Sequence, residues 1–185
     1  MKLGDRPLQC HFLGLGSNVR PRENLPRIVE ALLNLGSKLA LSRVIETEPV
    51  GLPSRNRFLN AVAALWTDLS AERLKEACVA LEIGLGRDRS DPQRKFRDRP
   101  ADIDILFSLD PLNPGVPWSL LPREDYVRLP LFELFWHLQL VQCERAPNLP
   151  PGVPLRVAGT LLGQTPTTVY RDDRTGDVVV VQKGL

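Results

Sequence analysis

Histidine is scarce in this chain: His11 and His137 are the only two among 185 residues, so a Ser-His-Asp relay or a histidine-rich metal centre has little to be built from. Cysteine is nearly as rare. Cys10, Cys78 and Cys143 are an odd number without a C-x-x-C pair, which fits neither a disulfide framework nor a zinc site and points to a reducing, cytoplasmic setting. No stretch approaches the roughly 18 apolar residues of a membrane span, and the opening "MKLGDRPLQC" lacks the apolar centre of a secretory leader. Neither secretion nor membrane insertion is expected. Charge of one sign is missing too, since a formal net charge of +2 does not by itself imply nucleic acid. The nucleotide loops are incomplete: "GLGSN" (14–18) has Val19 where G-x-G-x-x-G needs its third glycine, and no G-x-x-x-x-G-K-[ST] occurs.

What is present suits one domain with one sizeable core, at 43% hydrophobic and 25% charged residues. "CHFLGL" (10–15) reads as a strand running into a turn. Leu25, Ile28, Val29, Leu32 and Leu33 recur at helical spacing, with Gly36 as a stop. "LSRVIETE" (41–48) and "RFLNAVAALWT" (57–67) read as neighbouring strands around a Pro/Gly loop. Ser70 caps a second helix through Leu74, Ala77, Cys78 and Leu81. The arginine-rich stretch 87–101 contains Pro92 and Pro100 and reads as a mobile loop, followed by a strand at 102–107. The order β-α-β-β-α-β predicts a ferredoxin-like α+β sandwich, with a mostly antiparallel sheet and both helices on one face. A Pro-rich connection (111–122), an apolar helical piece (129–142) and a terminal hairpin (166–185) complete a single domain spanning 1–185.

The stretch "RDRPADIDILF" (97–107) concentrates the chemistry. At a side-chain period of two, Asp102 and Asp104 share the face opposite Ile103 and Ile105. Two adjacent carboxylates repel unless a cation lies between them. A magnesium ion carrying a phosphate substrate would resolve that, and the preceding Arg87, Arg89, Arg94, Lys95, Arg97 and Arg99 suit phosphate oxygens. A solvated strand face and a solvated linker are the plainer alternatives. Phe58 and Asn60 share one strand face near Thr47, so an aromatic, an amide and a hydroxyl can line a flat pocket, although Phe58 also suits simple core packing.

Together "GLGSN", "TEPVG", "RFLNAVA", "LEIGLGRDR" and "RPADIDILF", in this order over residues 10–165, resemble the 6-hydroxymethyl-7,8-dihydropterin pyrophosphokinase family. The resemblance implies transfer of the β,γ-pyrophosphoryl group of ATP to the pterin hydroxymethyl oxygen, with release of AMP, in folate biosynthesis. It implies ATP as co-substrate and two Mg2+ ions on Asp102 and Asp104. Arg87, Arg89 and Arg99 would stabilise developing charge, Arg89 and Arg99 also holding ATP beside Glu82. Thr47, Val50, Phe58, Asn60 and the loop residue Phe96 would bind the pterin. The 87–101 loop would close over both substrates. Departures are visible: the family's R-T-L-D appears as Arg99-Pro100-Ala101-Asp102, the loop before it is longer, and the P-H pair appears as Pro122-Arg123. Arg123 is then the candidate for the missing phosphate contact, and His137 reads as an ordinary helix residue.

Two other readings remain open at this stage. One is a catalytically weakened pterin- and nucleotide-binding homologue. The other is a ferredoxin-like RNA-binding module, disfavoured because the strands lack the aromatic pattern of such modules and the net charge is small. A nucleotide-sugar transferase, which D-x-D alone also suggests, is disfavoured by the short chain and the absence of a doubly wound pattern. No nucleic-acid or membrane partner is expected, and oligomeric state is not legible.

Overall fold

The computed structural model describes residues 8–109, 115–142, 145, 147–172 and 174–181. Cys143, residues 111–114 of the Pro-rich connection, and residues 173 and 182–185 of the expected terminal hairpin lie outside them. Nine strands and three helices follow one another as β1 (Gln9–Ser17), α1 (Pro21–Leu33), β2 (Lys38–Leu41), β3 (Ile45–Thr47), β4 (Phe58–Thr67), α2 (Ala71–Gly84), β5 (Asp102–Leu109), α3 (Asp125–His137), β6 (Leu155–Val157), β7 (Thr160–Leu162), β8 (Thr167–Arg171) and β9 (Val178–Val180) among the described residues. The main sheet runs β5-β1-β4-β2-β8-β9, with β3 also on β4. Every pairing in it is antiparallel.

Alternation along the strands sorts the side chains into two cores. Leu13, Leu15, Leu59, Ala61, Ala63, Leu65 and Ile103 pack beneath Leu25, Ile28, Val29 and Leu32 of α1 and Leu74 and Cys78 of α2. These two helices share one face, as the sandwich requires. Phe12, Val62, Ala64 and Phe107 point the other way. There α3 forms a further layer, with Phe12 stacked on Phe107 at 4.8 Å and edge-on to Phe135 at 5.4 Å between ring centroids. The apolar piece expected at 129–142 is therefore a helix that starts earlier and stops at His137, where Gln139 takes a left-handed φ of 59°.

The strand expected at 41–48 is two short strands. Between them Ser42 holds the sheet, its N–H donating to Val62 O at 2.8 Å and its hydroxyl accepting from Val62 N at 2.9 Å. Val44 then leaves the ladder: its N–H donates to Gly163 O and its carbonyl accepts from Val153 N, both at 2.8 Å. Gly163 sits at a φ of +90°, and a Cβ there would lie 2.8 Å from Val44 Cγ2, so glycine permits the approach. The C-terminal hairpin of β8 and β9 does not stand apart, because β8 pairs with β2 and lengthens the main sheet. Glu133 of α3, buried, accepts from Arg43 N at 3.0 Å and Nε at 3.1 Å, and so pins α3 to the β2–β3 junction.

Cys10 and Cys78 are free and buried, and burial pushes their thiols up to about 12 and about 11. At pH 8 a thiol of the second kind is about one-thousandth thiolate. Peptide mapping after native treatment with iodoacetamide is expected to find Cys10 and Cys78 unmodified, with alkylation of these two only after unfolding. Rapid native labelling of either would contradict the packing.

Candidate active site

Three strands carry the site on the sheet face toward α3. In register across the sheet, Gly16 of β1 lies opposite Asp102 of β5 on one side and Asn60 of β4 on the other. With strands about 4.8 Å apart, the two functional side chains stand roughly 10 Å from each other across a glycine. A Cβ on Gly16 would come within 2.9 Å of Asn60 Oδ1 and 3.7 Å of Asp102 Cβ. The glycine is thus the floor of a trough. Thr47, Glu48, Val50, Leu52, Phe58, Asn60, Arg99, Asp102 and Tyr126 line the resulting cleft, which is open to solvent.

One end of the cleft is flat and neutral. The amide of Asn60 donates from Nδ2 to Thr47 Oγ1 at 2.8 Å, which leaves Oδ1 facing the floor. Phe58, on the same face two residues earlier, offers a ring, and Tyr126 enters from the first turn of α3. The Tyr126 phenol is pushed up by burial first and then by nearby carboxylates, Glu124, Asp102 and Asp104 among them, against Arg99. It is a protonated donor at neutral pH.

The other end is charged. Asp102 accepts from Arg87 Nη1 at its Oδ1 and from Arg99 Nη1 at its Oδ2, each at 2.5 Å. Beneath them lies Glu82, on the buried stripe that α2 builds from Leu74, Cys78 and Glu82 at four-residue spacing. Glu82 is 1% exposed; its Oε1 accepts from Arg87 Nη1 and from Ile103 N, both at 2.8 Å, and its Oε2 accepts from Arg89. Three guanidinium groups share two carboxylates, a surplus of one positive charge. Two donors in the cluster, Arg87 Nε and Arg99 Nε, are buried without a hydrogen-bond partner, a costly state that a bound anion relieves. Asp104 shares the strand face of Asp102 but is 68% exposed, with Lys75 Nζ at 3.4 Å.

Most of the residues singled out in the sequence therefore converge. Thr47, Val50, Phe58, Asn60, Arg99 and Asp102 line one cleft, Val50 at its exposed rim. Arg87 and Arg89 join through Glu82, which underlies the arginines instead of lining the cleft. Phe96 is 61% exposed on a short helical turn, Arg94–Phe96, and is not part of the cleft wall. Arg123, exposed in the turn before α3, makes no ion pair or hydrogen bond among the described residues. His137 Nε2 lies 3.0 Å from Thr168 Oγ1 and ties α3 to β8. The stretch 87–101 folds on itself, Asp88 accepting from Ser90 N at 2.8 Å and Asp91 from Arg97 Nε at 2.9 Å. Sequence reading missed Gly16, Glu48, Leu52 and Tyr126. The signals for the first and last were a glycine alternating in a strand and an aromatic at the start of a helical pattern.

Residues 12–135 match the family profile of 7,8-dihydro-6-hydroxymethylpterin-pyrophosphokinase (HPPK). The chain belongs to the HPPK family. It is 37% identical over 132 residues to the 2-amino-4-hydroxy-6-hydroxymethyldihydropteridine pyrophosphokinase of Porphyromonas gingivalis, covering 66% of this chain and 88% of that one. The enzyme of the same name from Pseudomonas aeruginosa is 31% identical over 154 residues, covering 80% and 93%. That of Bacillus subtilis is 35% identical over 130 residues, covering 66% and 76%. The HPPK match ends inside α3, so β6 to β9 lie beyond it. No helix among the described residues is long and apolar enough to cross a membrane.

Proposed function

We infer that this HPPK-family chain transfers the β,γ-pyrophosphoryl group of ATP to the hydroxymethyl oxygen of 6-hydroxymethyl-7,8-dihydropterin, releasing AMP, in folate biosynthesis. One observation carries the assignment to this site: a flat aromatic and amide pocket and an arginine–aspartate cluster are two ends of one cleft. Phe58 and Tyr126 supply ring faces for a planar heterocycle. Asn60, oriented by Thr47, offers Oδ1 to its N–H edge, and Val50 and Leu52 close the apolar rim. Phe96, on the exposed turn of the 87–101 segment, covers the pterin when that segment closes.

In the transfer, the hydroxymethyl oxygen bonds to the β-phosphorus, the bridge to the α-phosphate breaks, and AMP leaves with the electron pair. The hydroxyl proton passes to solvent or a phosphate oxygen. Such a transition state is loose, so the protein's work is alignment and charge stabilisation. Arg87 and Arg99 hold Asp102 in the free protein; phosphate oxygens are equally good acceptors, and the nucleotide takes the forks over. Their unpartnered Nε donors then gain acceptors. Glu82 stays below and keeps Arg87 and Arg89 aimed. Arg123 reaches the nucleotide from the α3 side.

The donor set fits magnesium, a hard cation that needs only one or two carboxylates and takes its remaining oxygens from water and phosphate. Asp102, freed from the arginines, and the exposed Asp104 would hold two Mg2+ ions, which would neutralise phosphate charge and polarise the phosphorus. A cytoplasmic setting belongs to the same reading, supported by the free thiols of Cys10 and Cys78.

Purified protein given ATP, Mg2+ and the dihydropterin is expected to form AMP, to stop on chelation with EDTA and to resume on adding Mg2+. Binding of both substrates without AMP would identify a non-catalytic homologue instead. Gly16→Ala places its methyl against Asn60 Oδ1 and turns that amide off Thr47. Steady-state kinetics should show the KM for pterin raised about tenfold, the ratio for about 1.4 kcal/mol of lost hydrogen bonding. An unchanged KM would remove Asn60 from the pterin edge.

A further inference from the structure

The two segments that flank the cleft meet around Asn18, and their short contacts to each other run through one carboxylate, with a longer bond from Asn18 Nδ2 to Asn56 O at 3.4 Å beside it. Asp98 Oδ1 accepts from Asn18 Nδ2 and its Oδ2 from Asn56 Nδ2, each at 2.6 Å. Asn18, 3% exposed at the end of β1, grips the peptide of Arg99 from both sides. Its Oδ1 accepts from Arg99 N at 2.6 Å, and its own N–H donates to Arg99 O at 3.0 Å. Asn56 lies two residues before Phe58, its N–H donating to Ser54 Oγ at 3.0 Å. The wall that carries Leu52 and Phe58 is thereby joined to the peptide that aims Arg99 at Asp102.

The chemistry of the contact is selective. A carboxylate is an acceptor at both oxygens, so it joins two amide NH2 groups, one at each oxygen, without a mismatched pair. Take it away, and the Asn18 amide keeps only a long bond from Nδ2 to Asn56 O at 3.4 Å, which fixes its rotation, and so the acceptor for Arg99 N, less firmly. Asp98 and Asn56 are exposed, so the bridge is made in water and opens readily, unlike the buried Glu82 cluster.

We propose that Asp98 is a positioning residue, a latch that bridges Asn18 and Asn56, fixes the two cleft segments to each other and sets Arg99 for transfer. The proposal rests on the assignment of Arg99 to the nucleotide made above. It acts through Arg99 without touching either substrate, so it governs turnover more than affinity.

The test exchanges the partners. Asp98→Ala removes the bridge, and Asn56→Asp sets two carboxylates against each other. Each is expected to lower kcat about tenfold with the KM for either substrate within about twofold, the signature of an interaction used in the transition state. Each should also speed amide hydrogen exchange at Arg99 and across 52–57 together. Adding Asp98→Asn to Asn56→Asp restores one carboxylate and one amide: the new amide at 98 accepts from Asn18 and donates to the new carboxylate at 56. That double variant is expected to recover both readouts to within about twofold. A double variant no better than Asn56→Asp alone, or full turnover in Asp98→Ala, overturns the latch. Exchange is read in the free protein, so a wild-type chain that forms no AMP overturns the transfer reading, while swap-dependent protection still decides the latch.

Discussion

Asp102→Asn is expected to lower AMP formation at least about a thousandfold, equivalent to roughly 4 kcal/mol of transition-state stabilisation, while leaving the fold intact. The side chain keeps its size and its place on β5, so Ile103 and the strand pairing with β1 persist. What disappears is the charge that two roles need. In the free protein Asp102 gathers Arg87 and Arg99; with substrates bound, on the proposed reading, it would hold a cation. An amide accepts at one oxygen only and is a poor ligand for magnesium. The site gains one unit of positive charge, so ATP affinity is expected to hold or rise as turnover collapses. That split separates loss of the reaction's electrostatics from loss of binding. AMP formation within tenfold of wild type would remove Asp102 from the chemistry.

Glu82→Ala carries the largest expected loss of stability. Three donors converge on this buried carboxylate: Arg87, Arg89 and the Ile103 N–H. Without it Arg89 has no counter-ion among the described residues, Arg87 keeps only Asp102 and the Ala101 carbonyl, and a buried backbone donor on β5 is stranded. Breaking a buried pair from one side typically costs about 3–5 kcal/mol, which for a chain of this size lowers Tm by roughly 10 °C. Thermal unfolding followed by circular dichroism checks it. Glu82→Gln should fall between, since its amide oxygen still accepts from Ile103 but no charge remains for the arginines. A Tm unchanged within about 2 °C in Glu82→Ala would mean that the cluster carries no structural load.

Local pattern made much of this architecture legible. Alternation at period two put Ile103 inward and Asp102 and Asp104 outward, and the same rule paired Phe58 with Asn60. Spacing of three and four found α1 and α2. Less visible was whatever depends on chain far away. The break between β2 and β3 is made by Val44 bonding to Val153 and Gly163, more than 100 residues downstream. Tyr126 reaches the cleft only because α3 crosses to the second face of the sheet. Gly16 reads as a turn glycine until its neighbours on two other strands are known. Resemblance puts Glu82 at the nucleotide; helical periodicity alone extends the Leu74–Cys78 stripe to it, and that stripe is buried. The arginine run reads as a mobile loop because a charge pattern does not disclose that Asp98 closes it onto Asn18 and Asn56.

The central claim is transfer of two phosphoryl groups as one unit, and ATP labelled at the β-phosphorus tests it most directly. With the dihydropterin present, the label is expected to leave the nucleotide and appear on the pterin as a diphosphate, matched mole for mole by unlabelled AMP. Label retained on ADP, with a single phosphate on the pterin, would contradict it.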